Sequence, residues 1–189
     1  EQARQQSRRR AREALGTDRY TEFLLRLSAW LSSQAWREQP VTERTTRLLD
    51  PVGDHCVKLL QKRDRSVRKL GRDIANLPES ALHELRLAVK RLRYAVDFFE
   101  GLYPKKEVKA YRKHLVGLQS GLGYLNDVAV ADRLLRELGA ADNELSNPAW
   151  AYAGGIAIGW HRHAAIAAKD YLIKDMAAFL RAKPFWRGA

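Results

Sequence analysis

Apolar residues recur along most of this chain every three or four positions, and the alternation expected of β-strands is nearly absent. This periodicity predicts a helix over about 2–15, ended by Gly16-Thr17-Asp18. It predicts a second over about 19–36, where Phe23, Leu24, Leu27, Trp30 and Leu31 recur at helical spacing. Pro40 and Thr42 open a third, over about 42–72, whose later half is heavily basic. Asn76-Leu77-Pro78-Glu79 reads as a helix start, with Asn76 as N-cap and the Glu three residues on. That helix is expected to reach Leu102 and stop before Pro104. Another covers about 105–138, although Gly117, Gly121 and Gly123 each cost it about 1 kcal/mol relative to alanine. Close packing against a neighbour is the expected compensation. Asn147-Pro148 opens the last helix, to about Ala182. Long helices with short connections predict an all-α fold, an antiparallel bundle.

One helix is unusual. In HELRLAVKRLRY, residues 83–94, a helical wheel with His83 at zero puts Arg86 at about 300°, Lys90 at about 340°, Arg93 at about 280° and Tyr94 at about 20°. Leu85, Val89, Leu92, Val96 and Phe99 gather on a separate face, and Arg91 lies off the stripe. Glu84 and Asp97 are read as lying outside it, so no acid is expected within. Like charges three and four residues apart repel, a cost that a bound anion would remove. Arginines donate bidentately to phosphate oxygens, lysine adds a point charge, and a histidine beside phosphates becomes another donor. Pattern alone leaves anion binding and a plain solvated face both open.

Composition narrows the ligand class. The 189 residues are 46% hydrophobic with five tryptophans, enough for a real core. The net charge of +12 and pI near 10.1 favour polyanions such as nucleic acid, polyphosphate or an anionic membrane surface. Residues 1–72 hold 17 Lys and Arg against 9 Asp and Glu; residues 73–140 hold 11 against 9. The stripe therefore matters by arrangement rather than amount. The single cysteine, Cys56, excludes an intramolecular disulfide and fits a reducing interior. No signal peptide and no apolar run long enough for a bilayer is visible.

Further basic ridges are groove candidates: Arg4, Arg8 and Arg12; Arg65, Arg68 and Arg72; and Lys109, Arg112 and Lys113. Each is equally readable as a solvated face. Asn126-Asp127 is read as a cross-helix hydrogen-bonding pair rather than a catalytic acid. His55-Cys56 and His161/His163 diverge on their helices, so no metal site is expected. Trp150, Trp160 and Trp186 are read as core or docking residues. No cofactor is called for.

The sequence H-x-x-R-L-x-x-K-R-L-R-Y resembles the signature of the CHAD family, the conserved histidine α-helical domain. DFFEGLYP at 97–104 and LVGLQSGLGYLNDVAVADRLL at 115–135 look like its aromatic helix end and its second motif. The resemblance implies a bundle of two similar halves, each opening with a basic histidine helix. Residues 1–78 would be the closing helices of the first half and a connecting basic helix, and 79–189 the second half. On that reading the domain is N-terminally incomplete. Carried over by position, His83, Arg86, Lys90 and Arg93 would bind inorganic polyphosphate in a basic groove, without catalysis. Val116-Gly117 and Ser120 depart from the pattern, which commonly has a basic residue and an aspartate there. The implied setting is cytoplasmic, with association to polyphosphate granules. The alternatives are a nucleic-acid-binding helical domain, for which no stacking aromatic pair is seen, or an accessory domain of a triphosphate hydrolase.

Overall fold

The computed structural model describes the backbone at residues 2–34, 37, 40–46, 50–141 and 148–187, and the side chains of these except at 2, 3, 44, 138–141 and 148–150. Every regular element among the described residues is helical, as the periodicity predicts. The chain forms two compact units, Glu1–Asp50 and Pro51–Ala189.

The first unit holds α1 (Gln2–Leu15), α2 (Asp18–Ser32) and the short α3 (Glu43–Thr46). The Thr17 hydroxyl donates to the Ala14 carbonyl at 2.8 Å and accepts from the Tyr20 amide at 3.4 Å. One side chain thus ends α1 and caps α2. No residue of α2 is buried, and Phe23 and Trp30 stand about half exposed.

The second unit packs α4 (Val52–Leu70), α5 (Glu79–Phe99), α6 (Lys105–Ala141) and α7 (Pro148–Arg181), each against the next. The single helix expected over 42–72 is two, because Pro51 disfavours helical backbone at the residue before it and α4 starts afresh behind it. Asn76 is not the N-cap of α5. It sits in a 3-10 turn, Ile74–Asn76, where its amide donates to Asp73 at 2.9 Å, and Pro78 takes the capping position instead. Helix α5 tightens into a second 3-10 turn, Glu100–Leu102, before Pro104.

The apolar face read from the wheel is the core face: Leu85, Val89, Leu92, Val96 and Phe99 are all buried. They meet Leu60 and Val67 of α4, Leu115 and Leu118 of α6, and Leu172, Met176 and Phe179 of α7. A last turn, Phe185–Arg187, puts Phe185 and Trp186 edge-on to Tyr111, with centroids 5.6 and 5.1 Å away. A Cβ on Gly117 would lie 2.9 Å from Asp175 Oδ2, and one on Gly121 would lie 3.1 Å from Leu172 Cδ1. These two glycines let α6 and α7 approach. Gly123 has no such neighbour, so its cost in α6 is not offset by packing.

Asp64 is buried at a core position of α4. Its carboxylate takes the Arg68 Nε–H at 2.9 Å and the Tyr111 hydroxyl at 2.6 Å. Arg68 also donates to the Leu180 and Ala182 carbonyls, at 2.6 and 2.9 Å, and lies over the Phe179 ring. Terminal carbonyls of α7, unpaired within their own helix, are thereby satisfied. Burial, reinforced by the Asp64 charge, raises the Tyr111 hydroxyl far above its ordinary range and keeps it a donor.

Candidate anion-binding seam

Cross-helix contacts fix an antiparallel register between α5 and α6. His83 Nδ1 meets Asn126 Oδ1 at 3.1 Å. Arg93 donates to Gln119 Oε1 at 2.8 Å, and Arg112 lies against Asp97 at 3.1 Å. On this register Arg86 and Lys90 are level with Gly123 and Ser120, two small residues and neither acidic. A Cβ added at Gly123 would meet open space. The basic stripe therefore runs beside a seam whose middle is vacant on the α6 side.

The stripe divides in three. At its C-terminal end the expectation of no acid is corrected. Asp97 follows Arg93 by one turn, on the same side of the helix, and its carboxylate lies 3.5 Å from Arg93 Nε. Arg112 approaches the same carboxylate and also contacts Glu100. The Arg93 and Arg112 contacts to Asp97 are ion pairs without hydrogen-bond geometry, since both Nε atoms are buried and lack one. This end is electrically balanced. In the middle it is not: Arg86 is half-buried with an Nε that has no hydrogen bond, and Lys90 Nζ has only the Tyr94 ring, 5.6 Å to the centroid. Neither makes an ion pair with a described residue.

At the N-terminal end, His83 is exposed at the mouth of a groove of about 1080 Å³ between α5, α6 and α7. An amide oxygen only accepts, so Nδ1 carries the proton given to Asn126, and Nε2 is left for a ligand. The groove floor is apolar, with Leu122, Leu125 and Ala129, and its rim carries Arg133, Arg136, Arg162 and Lys169 beside Glu79, Glu84 and Asp132. Asp132 accepts from Arg136 at 3.1 Å and from Arg162 at 2.9 Å. The Arg136 hydrogen bond, with the nearby Arg162 charge, holds its carboxyl below the ordinary carboxylate range. These rim cations escape a search for ridges on one helix because they converge from two.

The other expected groove residues differ in their surroundings. Arg4, Arg8 and Arg12 are exposed along α1 in the first unit. Arg65 and Arg72 are exposed, whereas Arg68 turns inward to Asp64, so the ridge read on α4 loses its middle member. Lys109 and Lys113 are exposed; Arg112 belongs to the Asp97 pair. Trp186 is core and Trp160 exposed, and the side chain of Trp150 lies outside the described residues. Among the described residues no three His, Cys, Asp or Glu side chains come together for a metal, and no helix is long and apolar enough to cross a membrane.

Comparison with known proteins adds two matches. The family model of the CHAD domain matches residues 1–136. The crystal structure of the CHAD domain from the plant Ricinus communis is similar at 32% sequence identity with a TM-score of 0.68, over 92% of this chain and 54% of that one. The chain spans about half the length of that relative. No curated protein matches.

Proposed function

The chain belongs to the CHAD domain family, and on that premise we propose that it binds inorganic polyphosphate along the α5–α6 seam, as a binding module without turnover. The observation that carries this reading is the middle of the stripe. Arg86 and Lys90 stand one turn apart without an acid between them, opposite Ser120 and Gly123. Their mutual repulsion costs the free protein stability, and a phosphate chain laid in the seam would relieve it. Arg86 would grip two oxygens of one phosphate, Lys90 would add a mobile charge, and His83 Nε2 would meet the chain at the groove mouth. The rim cations of α6 and α7 extend the path. Anchoring a larger protein to polyphosphate granules is the cellular role this chemistry serves.

The test is titration of long-chain polyphosphate against the Arg86→Glu/Lys90→Glu variant and, separately, Arg93→Glu. Each charged hydrogen bond is worth about 1.5–3 kcal/mol, so the double reversal should weaken binding by at least about a hundredfold. Arg93→Glu should cost clearly less, because its charge is already countered by Asp97. Equal affinity in wild type and double variant would sink the assignment. Release of phosphate above a buffer control, abolished by chelator, would replace binding by hydrolysis.

A further inference from the structure

Two aromatic rings stand out on the outer flank of α5. Tyr94 is 56% exposed and Phe98, one turn later, is 80% exposed. A fully presented phenylalanine in a helix whose neighbour Phe99 is core has no packing explanation. The Phe98 ring meets Phe99 at 4.9 Å with the two planes nearly perpendicular, and most of its surface stays open to solvent. On the wheel the two rings fall at about 20° and 60°, between the stripe and Arg91 at about 80°. On the wheel cations lie to either side of them, Arg86 and Lys90 on one and Arg91 on the other, and along the axis all three precede the rings, with Lys90 and Arg91 about one turn before Tyr94. None of the three is ion-paired with a described residue, and Lys90 already sits over the Tyr94 face.

We infer that this flank is a stacking platform for single-stranded nucleic acid, with bases on Tyr94 and Phe98 and phosphates on Lys90, Arg91 and Arg86. A polyphosphate chain has no use for exposed rings, and even with the half-exposed Leu102 one turn further on, three side chains make a narrower apolar patch than a protein partner needs. Exposed rings next to unpaired cations suit single strands: a charged track for the backbone and π-faces for any base. The rings are about 6 Å apart along the helix axis, a spacing suited to bases splayed onto successive side chains rather than stacked on each other. The platform does not rest on the polyphosphate reading, although the two share Arg86 and Lys90.

The experiment measures fluorescence anisotropy of the whole chain with labelled oligo(dT), with an abasic strand of equal length, and with labelled polyphosphate. Wild type should bind oligo(dT) at least about tenfold more tightly than the abasic strand, from stacking of two bases. Tyr94→Ala/Phe98→Ala should erase that preference and leave polyphosphate affinity unchanged. Because both rings are exposed, this variant should keep the wild-type helical circular dichroism. Arg86→Glu/Lys90→Glu should weaken all three ligands. Equal wild-type affinity for the base-bearing and abasic strands overturns the platform without touching the polyphosphate proposal. An unchanged oligo(dT) affinity in the ring variant, with altered sedimentation of the free protein, would overturn it in favour of contact with a second copy. Failure of the wild type to bind polyphosphate, with its base preference intact, would sink the polyphosphate reading and leave the platform standing.

Discussion

Arg65 and Arg68 stand three residues apart on one basic helix, yet they differ in kind. Arg68 is held by a buried carboxylate and two helix-end carbonyls, whereas Arg65 meets solvent. Removing one partner of a buried pair leaves the other charge uncompensated, at about 3–5 kcal/mol. Arg68→Ala should therefore lower the urea midpoint severely, while Arg65→Ala should leave it nearly unchanged; comparable effects would show that Asp64 is not the anchor described. Cys56 offers a residue-scale pH test. Burial raises its thiol above the ordinary range, with the Tyr103 hydrogen bond at 3.4 Å opposing only in part, and Tyr103 itself is pushed up to about 12. Both groups are raised, so their contribution to stability is whole below their ordinary values, near 9 and 10, and is lost as pH climbs above them. Alkylation of native Cys56 at pH 8 should run at least about tenfold slower than in the urea-unfolded chain, since the thiolate is the reactive form. An equal rate in the two states would contradict the buried, protonated thiol.

At the scale of elements, the helices were legible in the sequence and their register was not. Apolar spacing together with the Gly, Pro and capping signals between helices locates α1, α2, α5, α6 and α7 to within a few residues, and it names the buried face of α5. The break before α4 was missed because Pro51 was outweighed by the periodicity around it. The wheel sets Asp97 on the wrong side of the stripe, and no sequence pattern singles out Asp64, because its partner Tyr111 lies 47 residues away. Pairings such as His83 with Asn126 depend on how two helices are stacked, which no single-helix pattern encodes. The register makes its own prediction at Gly123. Alanine there enters a helix interior with open space around its Cβ, so Gly123→Ala should stabilise the fold by about 0.5–1 kcal/mol. Glutamate at the same place would set a carboxylate level with Arg86 and should weaken polyphosphate binding about tenfold. The contrast is Gly71→Ala, whose Cβ would collide with the Met176 side chain and should destabilise. A denaturation series on these variants, with polyphosphate titration of Gly123→Glu, checks the alignment of α5 and α6 directly.

For the molecule as a whole, the question is whether a charge of +12 or a few placed side chains governs binding. Most of the excess lies in residues 1–72, whereas the stretch that builds the seam, 73–140, is nearly balanced at 11 basic against 9 acidic residues. Several of those acids are in contact with seam cations: Asp97 and Glu100 with Arg93 and Arg112, and Asp132 with Arg136 and Arg162. Pairing of this kind removes sites of counterion release while leaving the unpaired middle able to act. The two possibilities differ in salt dependence, because each phosphate contact contributes roughly 0.7–0.9 to the slope of log affinity against log salt on nucleic-acid strands. A few placed cations predict a slope of about 2–4 for polyphosphate, and Arg86→Glu/Lys90→Glu should reduce it by nearly 2. Binding by diffuse charge predicts a slope approaching that of a whole basic surface, near 10, and little change in the double variant. The acids beside the seam make the smaller slope the expected result, since they leave specific gaps for phosphate and neutralise much of what surrounds them.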